Sequence, residues 1–94
     1  MTEIRAVHVA ISGRVQGVGY RAWLRDQATA AGLKGWVRNR RTGEVEAVLI
    51  GSADIVGRLV DLCWQGPDWA RVDAVETTAA NEADLAGFTV LATE

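Results

Sequence analysis

The sequence predicts an α+β fold, a two-layer sandwich in which an antiparallel sheet carries two helices on one face, in the order β-α-β-β-α-β. Three observations predict it. Apolar residues alternate with period 2, the mark of a strand with one buried face, near the start, in the middle and at the end of the chain. Two runs with apolar residues at helical spacing separate these strand segments. The chain has 94 residues, enough for one small domain that buries roughly 60–68% of its unfolded surface, so residues 1–94 are expected to share a single core.

Val7, Val9 and Ile11 alternate with His8, Ala10 and Ser12, which makes Ile4 to Ser12 the first strand. Tyr20, Trp23, Leu24, Gln27, Ala28 and Ala31 then recur at helical spacing, and Gly32 stands where a left-handed C-terminal cap belongs. A helix of about three turns follows from this spacing. Trp36 to Arg40 and Val45 to Ile50 read as two strands joined by Arg41-Thr42-Gly43-Glu44, a short hairpin with a glycine for positive φ. Ser52 offers an N-cap to the second helix, whose broad apolar face holds Ile55, Val56, Leu59, Val60, Leu62, Cys63 and Trp64 and closes at Gly66-Pro67. Ala70 to Thr78 forms the next strand and Ala79 to Ala86 a polar connection. Gly87 to Ala92 then alternates through Phe88 and Val90, which leaves room for one extra short strand. This is the split βαβ, or ferredoxin-like, arrangement, which hosts carriers, RNA binders, regulators and enzymes alike. Function has to be read from a site.

Composition narrows the choice. Apolar residues make up 49% of the chain and charged residues 23%, which excludes disorder. Cys63 is the one cysteine and forms neither an internal disulfide nor a zinc site, so a reducing compartment, the cytoplasm, is expected. The N-terminus lacks a charged-then-apolar signal pattern and no apolar run approaches the length of a membrane span. A net charge of -2 excludes a polyanion binder driven by bulk attraction. Positive charge is instead local, with Arg14 and Arg21 around a glycine-rich loop, a cluster of Arg38, Arg40 and Arg41, and carboxylates mostly from Glu44 onward. A small cationic site in a mildly acidic body, with a small anionic ligand and no nucleic-acid partner, is expected.

That loop, GRVQGVGYR at residues 13–21, lies between the first strand and the first helix. Glycines at 13, 17 and 19 allow positive φ, so successive N–H groups can converge into a concave nest ahead of a helix N-terminus, and Arg21 adds a planar fork suited to phosphate oxygens. GVGYRA at 17–22 formally satisfies the dinucleotide fingerprint, but the chain lacks the parallel unit and the acidic residue that such a site needs. A Walker loop fails outright, for no Gly-Lys-Ser or Gly-Lys-Thr follows. A plain glycine-rich turn with an incidental arginine is weakened by Asn39. It shares the parity of Val37, which puts an amide on the core-facing side of a strand, where it needs a partner. If the strands containing Val9 and Val37 lie close, Asn39 faces the loop and Arg21. His8, of opposite parity to its neighbours, should point to the face away from the helices, and Cys63 behaves as a small hydrophobe. Lys34-Gly35-Trp36-Val37 echoes an RNA-recognition motif but lacks its further aromatics, and Trp23 and Trp64 occupy helical core spacing. Arg38, Arg40 and Arg41 are expected to form a solvated face or a funnel for anionic substrate.

GRVQGVGYR followed by GWVRNRRTGEVEAVLIG, with QGP after the second helix, the ARVDAVE strand and a terminal GFTV, resembles the acylphosphatases over essentially the whole chain. The resemblance implies that Arg21 binds the substrate phosphate, that the backbone of Gln16, Gly17, Val18, Gly19 and Tyr20 cradles it, and that Asn39 positions the attacking water. It implies hydrolysis of acyl phosphates without a metal or other cofactor. Tyr20 stands where phenylalanine is frequent in the family, which keeps the ring and adds a hydroxyl. The alternative is a phosphate- or RNA-binding module of the same fold without turnover.

Overall fold

The computed structural model describes residues 3–81 and 85–94. Its elements are β1 (Ile4–Arg14), α1 (Tyr20–Ala30), β2 (Lys34–Asn39), β3 (Val45–Ser52), α2 (Ala53–Cys63), β4 (Arg71–Ala79) and β5 (Phe88–Val90). The five strands form one sheet in the order β4-β1-β3-β2-β5. β1 runs antiparallel to β3 and β4, and β2 runs antiparallel to β3. The last pair departs from the expected all-antiparallel sheet, because β5 lies parallel to β2. β4 occupies one edge and β5 the other, so the chain crosses from edge to edge between them and the sheet is mixed.

Period-2 alternation decides which face is buried. Val7, Val9 and Ile11 from β1, Val37 from β2, and Val45, Ala47 and Leu49 from β3 meet Tyr20, Leu24 and Ala28 from α1 and Val56, Leu59 and Cys63 from α2. Both helices thus cover one face, α1 over the β2 and β5 side and α2 over the β1 and β3 side. Helix starts and stops follow local chemistry. Ser52 Oγ accepts from Ile55 N at the start of α2, and Gly32, at φ 76°, takes the left-handed position after α1. Trp64 departs from its expected core place. It follows the last turn of α2 and is 51% exposed, since the apolar face of that helix is already filled by Val56, Leu59 and Cys63.

The opposite face of the sheet is polar but not bare. His8 points there, as its parity requires, and its Nε2 donates to Glu46 Oε2 at 2.6 Å. Arg38 donates from Nε to Glu46 Oε1 at 2.6 Å, stacks over the Trp36 ring at 4.8 Å and pairs with the Glu94 carboxylate. The residues after β5 stay on this edge. Leu91 N donates to Val37 O at 2.9 Å, Glu94 N to Asn39 O at 3.0 Å, and Arg41 N to Glu94 O at 2.8 Å, so the tail extends the parallel pairing along β2.

Candidate active site

The site begins where β1 ends. Its strand pairing shifts register between Ser12 and Gly13, and the chain then turns through a loop in which Gly17 and Gly19 hold φ of 74° and 81°. A Cβ at either position would meet nothing within 4 Å among the described residues, so the need for glycine there is conformational, not steric. Gly19 is also the N-cap of α1, which has no side-chain cap and no acidic residue in its first turn. The positive end of the helix, with amide N–H groups that lack intrahelical partners, is left for a ligand.

A pocket of about 150 Å³ opens at this point, lined by Val15, Gln16, Gly17, Gly19, Tyr20, Arg21, Ala22 and Asn39. Six of the seven expected site residues line it. The seventh, Val18, packs its side chain against the core instead. Val15 and Ala22 were not foreseen, because neither carries chemistry that spacing would flag. Asn39 shares the pocket with the loop and Arg21, as the closeness of the two strands was expected to allow. β1 and β2 are not neighbours, since β3 lies between them. The loop must span the start of β3 to meet the end of β2, and the inward parity of Asn39 then turns its amide into the pocket.

The electrostatics of the pocket come from which groups are already committed. Among the described residues Arg21 has no carboxylate partner, whereas Arg25 pairs with Asp26, Arg38 with Glu46 and Glu94, and Arg40 with Glu46 at 3.5 Å. Of the two alternatives expected for Arg38, Arg40 and Arg41, a solvated face or a funnel, the pairing of Arg38 and Arg40 with Glu46 on the outer face favours the first. Asn39 is only 9% exposed, and its Oδ1 has no hydrogen-bond partner among the described residues. An orphaned buried acceptor costs about 1–3 kcal/mol, so the site favours a donor brought there by a ligand or water.

Two side chains build the frame. Gln16 donates from Nε2 to Arg40 O at 2.7 Å and to Glu44 O at 2.8 Å. Tyr20, 1% exposed, donates its hydroxyl to Cys63 O at 2.6 Å and packs edge-on against Trp23 at 5.2 Å. The hydroxyl is thus spent on the C-terminal end of α2 and is not offered to a substrate. Burial pushes the Cys63 thiol up to about 11, and with no exposure it is no nucleophile. Among the described residues no three His, Cys, Asp or Glu side chains group into a metal site, and no helix is long and apolar enough to cross a membrane.

Comparison with known proteins bears on this geometry. The family model described as Acylphosphatase matches residues 7–90. The chain is 57% identical over 81 residues to an acylphosphatase of Bradyrhizobium diazoefficiens, covering 84% of this chain and 82% of that one. It is 51% identical over 89 residues to an acylphosphatase of Azorhizobium caulinodans, covering 93% and 95%. The solved structure of an acylphosphatase from Coxiella burnetii matches with a TM-score of 0.90 at 36% identity, covering 94% of this chain and 93% of that one.

Proposed function

The chain belongs to the acylphosphatase family, the hydrolases of acyl phosphates, and from that membership we propose how its own residues carry the reaction. The backbone N–H groups of Gln16 to Tyr20 and the Arg21 guanidinium bind the phosphoryl oxygens, and Asn39 Oδ1 accepts a hydrogen bond from the attacking water. One observation carries this reading. Among the described residues, an arginine without a carboxylate partner, an uncapped helix start and an unpartnered amide oxygen converge on one pocket.

The chemistry needs little more. The substrate is a phosphoryl dianion bonded to a carboxylate leaving group, so the enzyme must hold the phosphoryl oxygens and aim water in line with the breaking bond. The water oxygen bonds to phosphorus while the bond from phosphorus to the acyl oxygen breaks, and its electron pair leaves on the carboxylate. The water proton passes to a phosphoryl oxygen, and inorganic phosphate results. A carboxylate with a pKa near 4 leaves unprotonated, so no general acid is needed. Arg21 and the amide nest supply the positive charge that Mg²⁺ gives elsewhere, which makes the reaction metal-independent in this proposal.

The same reading makes residues 1–94 one domain that acts as a cytoplasmic monomer on a small molecule and not on nucleic acid. The buried, unpaired Cys63 and the commitment of Arg38 and Arg40 to Glu46 support it. Hydrolysis in ¹⁸O-labelled water tests the direction of attack. The label is expected in inorganic phosphate, and label in the carboxylate product would mean attack at the acyl carbon and overturn the role given to Asn39.

A further inference from the structure

Gln16 forms part of the pocket wall, yet both hydrogens of its amide are spent outside it. Nε2 donates to Arg40 O and to Glu44 O at 2.7 and 2.8 Å. These are the two carbonyls that close the β2–β3 turn, where Arg40 N donates to Glu44 O at 2.8 Å and Gly43 N to Arg40 O at 3.0 Å. The amide therefore sits across the mouth of the turn as a third party to its hydrogen bonding. Among the described residues these are the only side-chain hydrogen bonds that join the 13–21 loop to the turn. They matter because β3 separates β1 from β2, so no direct strand pairing fixes the loop relative to Asn39. Arg40, the acceptor of the shorter bond, is the residue after Asn39.

We infer that Gln16 is a positioning residue, whose side chain sets the distance between the anion cradle and Asn39 and so the line of approach of the water. The inference rests on the water-positioning role given to Asn39. The residue type fits this task. A glutamate of the same length brings no donor when ionised and meets two carbonyls with repulsion, and a leucine brings no donor at all.

The test is a double-mutant cycle on the intact protein, with kcat for benzoyl phosphate and the inhibition constant for inorganic phosphate as readouts. Gln16→Leu keeps the bulk and deletes both donors. It is expected to lower kcat roughly 10- to 100-fold, the cost of about 1 Å of misplacement, while phosphate affinity shifts less than about threefold because the cradle and Arg21 remain. In an Asn39→Ala background the same change is expected to cost less than about threefold in kcat, since the group it positions is gone. If Gln16→Leu does not fold, Gln16→Asn carries the cycle, for it keeps the donors one methylene short of the turn. A slowed Asn39→Ala enzyme on which the Gln16 change costs the same factor as in the parent overturns the Gln16 role alone. An Asn39→Ala enzyme of unchanged kcat overturns the water-positioning reading and this one together.

Discussion

At the scale of single residues, the site is defined by which polar groups have partners and which do not. Arg21 and Asn39 Oδ1 are uncommitted among the described residues, while the Gln16 side-chain N–H groups and the Tyr20 hydroxyl, close by Arg21 in sequence, have partners. Tyr20 carries a clear expectation. Its hydroxyl satisfies Cys63 O, one of the last-turn carbonyls of α2 that lack an intrahelical donor. Tyr20→Phe is expected to lose about 1–3 kcal/mol of stability while kcat stays within about threefold, since the hydroxyl does not serve the substrate. Chemical denaturation beside steady-state kinetics checks both halves. Burial, with the Cys63 contact, raises the Tyr20 hydroxyl well above its ordinary value of 10.0. The neutral phenol is therefore favoured in the folded state, and its contribution is complete below pH 10 and lost as pH rises beyond it. The Phe variant should lack this alkaline loss.

At the scale of elements, Glu46 is the hinge of the outer face. It sits on β3 and receives His8 from β1, Arg38 from β2 and the more distant Arg40, so one carboxylate ties three consecutive strands. Burial works to raise its carboxyl, but hydrogen bonds and charge from His8 and Arg38 outweigh it and hold the group below its ordinary 4.5. A depressed carboxyl contributes stability above that value and loses it as pH falls through the lowered one. Glu46→Gln is expected to lower the melting temperature at pH 7 by about 4–8 °C, the equivalent of about 1 kcal/mol in a domain of this size. The difference should close as pH falls below 4.5 through the lowered value, and thermal melts at pH 7 and across the acid range measure it. A gap that persisted in acid would contradict the ionic account of this cluster. The same elements hold two of the three arginines in place, because the strand that brings Glu46 opposite Arg38 pairs that residue and draws Arg40 towards the same carboxylate.

At the scale of the whole molecule, the split βαβ order places the loop after β1 and the end of β2 at one end of the sheet, with α1 starting between them. Much of this was legible in the sequence, because periodicity records burial. Val7, Val9 and Ile11 marked the inner face of β1, and Asn39 was marked as inward by its shared parity with Val37. The glycines at 17 and 19 and Arg21 marked the loop. Other features depend on where distant backbone lies, which local spacing does not record. The bonds of Gln16 required the turn carbonyls of Arg40 and Glu44 to arrive across β3, and the parallel β5 required the chain to cross to the far edge. Exposure of Trp64 followed from a helix face already filled. The central claim is that Arg21 and the amide nest supply all the charge that the transition state needs. The most direct measurement is the loss of benzoyl phosphate absorbance in excess EDTA, with the parent enzyme, Arg21→Ala and Asn39→Ala side by side. The account predicts full turnover by the parent and near-complete loss in Arg21→Ala, at a cost of about 3–4 kcal/mol or more in the barrier. It predicts that Asn39→Ala lowers kcat with KM changed less. Turnover by the parent that stopped in EDTA and returned with Mg²⁺, or an Arg21→Ala enzyme of ordinary activity, would contradict it.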